Sequence, residues 1–561
     1  MKTDKQMKYF SNEFYERIDR LFRQLKSCDT HLIGAEITDD DQKVNAAYLF
    51  SISSYGLSFI NSVFSNNAHS PGTIMDMRCI FENIAMYYHY LNGGFSDDGK
   101  ELFKLQHYIL EREIYKKYPC FDGLLYFSDE VEKSYFEARQ AYKGKLELNA
   151  YELQRIIKSP VPSLLKDDMA FIEIVEKNLG ENAAAMYKQL SVLVHPHDYR
   201  STIDNIFIDI EIEKNPYIQI TLHLLEEVFA DKPKGEEVSF GLMEEWICYM
   251  ETPHLTSYQA REIIFSLNDE LKNVLMVAYE NRLPSLARML DQIRGITTDY
   301  LLDNTFGYTE QGEIKWKVVV EYFALFNYYL NNPYYIGNNY LAYWHTQIAC
   351  NKALDREITQ ETKDKCYAEY IIVFPNGVDK ATFEQVYFEK TLGFLIDEKG
   401  EIPSLNKLAK DFLSQVSPTI YGGKRRVAAL KVHDKNTKQE WNPDVLKELA
   451  DGKRETIETP LKEWLMMIYE ESQIMSHATG YLFFANTGAW MDGQYLGEFV
   501  LKFMQYILKR LCDLLGSPEI KQKLNGKTLL NITRNYLKNS AQRIEVYGQM
   551  LRFPKGGKPK F

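Results

Sequence analysis

Breakers of regular structure are scarce in this chain, which spreads 30 glycines and 18 prolines over 561 residues. So thin a supply argues against a sandwich or barrel of short, turn-punctuated strands and favours long helices. Cysteine is scarcer still. The seven cysteines, at positions 28, 79, 120, 248, 350, 366 and 512, form no Cys-x-x-Cys pair and are odd in number. That excludes a disulfide-stapled scaffold and predicts reduced thiols. No window approaches the roughly 18 uninterrupted apolar residues of a membrane span. The first residues, Met1-Lys2-Thr3-Asp4-Lys5-Gln6, lack the apolar core of a signal peptide. A cytoplasmic protein with no membrane partner is therefore expected. Phosphate-loop and dinucleotide fingerprints are absent, as are His-Glu-x-x-His and clustered cysteines, so neither a cofactor nor a metal is expected.

The remaining composition is that of a folded globular protein. Hydrophobic residues make up 45% and charged residues 26%, which excludes wholesale disorder. Aromatics are abundant, with 39 Tyr and 31 Phe. The run from Tyr322 to Tyr329 reads as core or as a helix–helix surface, which leaves room for a homo-oligomer. The net charge of −12 is unevenly spread: residues 501–561 hold 13 Lys/Arg against 3 Asp/Glu, a net of +10, and the rest carry −22. This basic end either docks on the acidic body or binds an anionic partner such as nucleic acid, through Lys521, Lys523, Lys527, Arg534, Lys538 and Arg543.

Periodicity predicts an all-α chain. In residues 73–92, Ile74, Met77, Phe81, Ile84, Tyr88 and Leu91 recur at helical spacing, and Asn92-Gly93-Gly94 supplies a stop. Further helices fit 99–118, 128–143, 148–158, 165–178, 181–194 and 215–229, then 256–280, 284–304, 314–331 and 336–357. Only Ile206–Ile212 alternates like a short strand. The organisation expected is an N-terminal extension (1–43), a first helical bundle (44–229) and a second (241–500). A polar insertion at about 415–458 interrupts the second bundle, and a basic helical region (501–561) closes the chain.

The two bundles read as tandem copies. Tyr187, Ser191 and His195 stand at i, i+4 and i+8, and Tyr469, Gln473 and His477 repeat that stripe. Val161-Pro162-Ser163-Leu164 matches Ile402-Pro403-Ser404-Leu405. The helix at 74–84 matches 283–293 in either of two registers: a shift of 209 superposes the apolar stripe, and a shift of 210 pairs Arg78 with Arg288 and Glu82 with Gln292. Arg78 and Glu82, followed by Tyr187, Ser191 and His195, resemble the pattern of a bacterial helical family known as domain of unknown function 5677. Arg288, Gln292, Tyr469 and His477 fit it less closely in the second half. The resemblance implies a helical fold and a bacterial or mobile-element origin, and brings no established reaction.

Each candidate has a bland alternative. Arg78 and Glu82 are either a helix-surface ion pair of about 0.3–0.5 kcal/mol, a buried register pair, or an anion-binding pair. His195 and His477 are either helix C-terminal caps or acid–base groups. Helical ribonuclease toxins of the HEPN type carry Arg-x(4–6)-His, and here only Arg426 to His433 fits, inside the polar insertion. Two functions stay open. One is a cytoplasmic bacterial interaction or effector protein in phage defence or a toxin-like system. The other is a hydrolase of RNA or another phosphate-containing substrate. Any chemistry is expected in the first half, around Arg78, Glu82, Tyr187, Ser191 and His195, with His477 as a relic.

Overall fold

The computed structural model describes residues 10–34, 40–117 (except 66 and 97), 162–194 (except 167 and 168), 211–230, 241–251, 284–305, 309–331, 356–390, 396–428 (except 402), 456–478 and 489–515, with a few single positions outside these runs. The chain is predominantly helical, as its few breakers imply. The expected helices at 128–143, 148–158, 256–280 and 336–357, and the expected strand, fall wholly or largely outside the described residues.

Helices α1 (Asn12–Gly34), α2 (Asp40–Phe64), α3 (Pro71–Leu91) and α4 (Gly99–Lys117) come first. The ends of α3 follow from its sequence. Ser70 Oγ accepts from Thr73 N at 3.1 Å, and Pro71 sits where no amide partner is needed. Gly93, at φ 73°, carries the chain away in the left-handed conformation that a side chain disfavours. Helices α5 (Phe171–Leu179) and α6 (Glu181–Leu193) meet at Gly180, and α7 (Pro216–Phe229) starts at the Asn215 cap. Then come α8 (Leu242–Glu251), α9 (Pro284–Thr305), α10 (Thr309–Asn331), α11 (Gln360–Val373) and α12 (Lys380–Glu384). Helices α13 (Leu405–Val416), α14 (Leu461–Met475) and α15 (Ala489–Leu515) complete the set. One antiparallel ladder, β1 (Lys424–Ala428) with β2 (Thr456–Pro460), was not expected; it closes the polar insertion at its base. No described helix is long and apolar enough to cross a membrane. The described cysteines, Cys28, Cys79, Cys366 and Cys512, are buried and form no disulfides.

Two helices are axial. From Pro71 to Tyr90 every residue of α3 except Tyr88 is buried, because α2, α5, α6 and α7 surround it and α9 and α10 pack on it as well. Helix α10 is likewise enclosed by α9, α13, α14 and α15. The apolar side chains of both halves belong to one contiguous core.

Where the α2–α3 and α9–α10 hairpins meet, the interface is ionic. Lys315 of α10 is fully buried, with Nζ 3.0 Å from Asp76 and 2.6 Å from Asp303. It also donates to Ser58 Oγ at 2.8 Å, and Ser58 donates to Asp76 Oδ2 at 2.8 Å. Asp299, one turn before Asp303, accepts from Asn67 Nδ2 and Ser70 Oγ. The helices approach closely here, since a Cβ on Gly72 would run into the Asp299 carboxylate. Burial, with Asp303 and Asp76 near, raises the Asp299 carboxyl to about 8 against the pull of Lys315, and burial likewise raises Asp76 and Asp303.

Removing the counter-ion with Lys315→Met strands buried carboxylates and is expected to cost about 3–5 kcal/mol in urea unfolding. Asp299→Asn keeps the hydrogen-bonding pattern of a protonated acid and is expected to be tolerated. A carboxyl raised on folding binds its proton more tightly in the native state. Its contribution is therefore full below its unfolded value of 3.8 and is lost as pH rises to about 8. Stability measured across that window should fall less in Asp299→Asn than in the natural chain.

Candidate functional site

Arg78 and Glu82 lie one helical turn apart on α3, where that helix has no solvent face, and are 7% and 3% exposed. Their Nη2–Oε1 separation is 3.5 Å. The surface-pair alternative is thus removed. From α6, the Tyr187 hydroxyl donates to Glu82 Oε1 at 3.2 Å. The third partner comes from the far half of the chain: His477 Nδ1 lies 3.4 Å from Glu82 Oε1 and 3.5 Å from Arg78 Nη2.

His477 is placed by the way α14 ends. The last carbonyls of a helix have no partner within it, and here side chains of the other half supply them. Tyr55 Oη donates to Met475 O at 2.6 Å, and Cys79 Sγ donates to Ser476 O at 3.4 Å. The turn after α14 is thereby tied to α2 and α3, and His477 is carried onto the Arg78–Glu82 pair. His477 keeps 40% of its side chain exposed while that of Glu82 is 5% exposed, so the cluster opens to solvent through the imidazole.

The charges are coupled. Burial would raise the Glu82 carboxyl, but Arg78 and then His477 hold it below its ordinary value. Burial opposes the Arg78 charge, and Glu82 more than restores it. The Tyr187 hydroxyl is raised by burial and by Glu82, so it remains a donor. Burial, aided by Arg78 and Lys317, depresses the His477 imidazole below 6.5 although Glu82 pulls the other way. At neutral pH that ring is uncharged. With its proton on Nδ1, facing Glu82, the Nε2 lone pair is left to act as a base. The Cys79 thiol, pushed up to about 12 by burial, is no nucleophile.

A second unit of the same composition lies across the interface. On α10, Lys317 and Glu321 again stand one turn apart and buried, and Tyr469 of α14 donates to Glu321 Oε1 at 3.2 Å. Arg78 to Lys317 and Glu82 to Glu321 are both steps of 239 residues, as is Asp76 to Lys315. The expected counterparts at a shift of 209 or 210 do not occupy this place. Gln292 is buried on α9 and Arg288 belongs to the same helix, whereas the carboxylate beneath Tyr469 comes from α10. An apolar stripe recurs on every helix of a bundle and so cannot fix a register. The cation-x-x-x-Glu spacing on the predicted helix 314–331 was the better signal.

Other expected residues are more scattered. Ser191 lies one turn beyond Tyr187 on α6, half-buried. His195 lies outside the described residues, as do Lys521, Lys523, Lys527, Arg543 and His433. Arg534 and Lys538 are exposed helical positions, and Arg426 is on β1. His477, expected as a relic, is the histidine that meets Arg78 and Glu82. Among the described residues, no group of three or more His, Cys, Asp or Glu is arranged to hold a metal. Comparison with family models, with curated proteins and with solved structures returns no match.

NMR titration of the His477 ring is expected to give a midpoint below 6.5, moving lower still in Glu82→Gln, which removes the group that favours the imidazolium. A midpoint at or above 6.5 that ignores Glu82→Gln would contradict the coupling. Because the folded state binds this proton less well than the unfolded one, the histidine's contribution to stability is full above about 6.5 and declines as pH falls below it.

Proposed function

We propose that Arg78, Glu82, Tyr187 and His477 form an acid–base site that hydrolyses a phosphate-containing substrate, RNA being the substrate class to test first. One observation carries the reading: a half-exposed imidazole is seated on a buried carboxylate beside a buried guanidinium. In this reading His477 Nε2 takes the proton from the attacking hydroxyl as its oxygen bonds to phosphorus, Glu82 steadies the imidazolium that forms, and the imidazolium returns the proton to the leaving ester oxygen as its bond to phosphorus breaks. Arg78 stabilises the charge that builds on the phosphoryl oxygens. Tyr187 holds the carboxylate in place. The contacts at 3.4–3.5 Å are long for hydrogen bonds, as is usual before substrate draws a site together.

The paired units at a step of 239 residues support the idea that the chain arose by tandem duplication. The resemblance to domain of unknown function 5677, in two copies, belongs to the same proposal. An effector role in defence would follow from such an activity. The exposed Arg534 and Lys538 fit a basic approach surface for the substrate backbone, with affinity falling as salt rises.

Mixed-sequence RNA is expected to be cleaved in buffer containing EDTA, since side chains supply both the base and the cation. His477→Ala is expected to slow cleavage about 10²–10⁴-fold, with the far-ultraviolet circular dichroism unchanged. The rate should fall on the acid side as the imidazole takes up its proton, below 6.5. Intact RNA after incubation with the natural chain, or equal rates for His477→Ala, would remove the hydrolase reading.

A further inference from the structure

Two lysines stand two residues apart on α10 and have opposite surroundings. Lys315 is fully buried and ion-paired with Asp76 and Asp303. Lys317 is 7% exposed, and its ammonium makes no hydrogen bond or salt bridge with a described residue; Glu321, one turn on, acts on it only from a distance. A largely buried ammonium that no carboxylate contacts directly is costly, so a structural role like that of Lys315 does not explain it.

Its position suggests what it is for. Lys317 precedes Glu321 as Arg78 precedes Glu82, and each glutamate accepts from a tyrosine at 3.2 Å. One helix joins the two units: α14 places Tyr469 on Glu321 and, past its end, His477 on Glu82. Lys317 therefore lies within electrostatic reach of Arg78, Cys79, Glu82 and His477. Two buried atoms in this cluster, Arg78 Nε and Glu82 Oε2, also have no partner. An unpartnered donor and an unpartnered acceptor thus stand beside one half-exposed imidazole, with the Lys317 charge acting on all three groups.

We propose that Lys317 is the second cation of the site, binding the substrate's phosphate group jointly with Arg78. This rests on the hydrolase reading for the identity of the anion. A tetrahedral oxyanion offers separate oxygens to a guanidinium and an ammonium, and it would give Lys317 the direct charge contact it lacks. Burial, and then Arg78, lower the Lys317 amine from its ordinary value, while Glu321, Cys79 and Glu82 oppose the shift. Among the described residues His477, on the turn after α14, is a further titratable group that this charge acts on. Phosphate affinity should therefore weaken with rising pH before ordinary lysines, near 10.4, lose their protons.

The test is calorimetric titration of the full chain with inorganic phosphate. Lys317→Met is expected to weaken binding about 10- to 100-fold, the loss of one charge-assisted contact, and Lys317→Arg to retain it. Circular dichroism melting checks that each variant folds. The natural chain needs no substitution: its phosphate affinity should fall as pH rises towards the ordinary lysine value near 10.4, and Lys317→Arg should abolish that fall. His477→Gln separates the two readings, being expected to lose RNA cleavage while keeping phosphate affinity. Lys317→Met binding as tightly as the natural chain, an affinity that does not fall before pH reaches about 10.4, or no phosphate binding at all overturns the role of Lys317. None of these outcomes bears on the RNA-cleavage result, which judges the hydrolase reading by itself.

Discussion

The ammonium of Lys315, enclosed by Asp76, Asp303 and Ser58, fixes how the two helical hairpins lie on each other. An apolar interface between helices tolerates sliding, because one methyl group replaces another at modest cost. A buried ion pair does not. A shift of one turn, 5.4 Å, would leave a lysine and several carboxylates without partners in a dry interior, at a cost of several kcal/mol. Asp299 adds to the constraint from the next turn of α9, and Gly72 permits the close approach by having no side chain.

The site depends on that register. Arg78 and Glu82 lie on the same helix as Asp76, and Lys317 and Glu321 on the same helix as Lys315. Fixing Asp76 against Lys315 thus fixes the distance between the two cation–glutamate units. Helix α14 then spans them, with its tyrosine on one glutamate and the histidine beyond its end near the other. The clamps from Tyr55 and Cys79 on the last carbonyls of α14 make the position of His477 a property of the interface, not of a loose turn. Buried charge has two uses in this molecule. Around Lys315 it is fully paired and serves to orient; around Lys317 and Glu82 some of it is left unsatisfied beside an exposed imidazole.

Much of the helical framework was legible in the chain. Ser70-Pro71 and Asn92-Gly93 marked the ends of α3, and the expected helices at 99–118, 181–194, 215–229 and 284–304 agree closely with those observed. Arg78, Glu82 and Tyr187 could be chosen because a cation and a carboxylate one turn apart beside an apolar stripe are conspicuous. Lys317 and Glu321 show the same spacing in the sequence, but apolar stripes recur on every helix and align the first half with α9 as readily as with α10. The ladder of β1 with β2 had no local signature. It joins segments separated by the insertion, and its strands are too short for periodicity to reveal.

The sequence by itself determined the class of structure, the helix limits and the residue types able to carry chemistry, because capping, breaking and periodicity act over a few neighbouring residues. Only the tertiary structure decided that His477, from the far half of the chain, joins Tyr187 on Arg78 and Glu82. It alone separated a satisfied lysine from an unsatisfied one two positions away. Those outcomes depend on which side chains nearly 400 residues distant arrive at the same place, and the long-range packing that brings them together leaves no local trace.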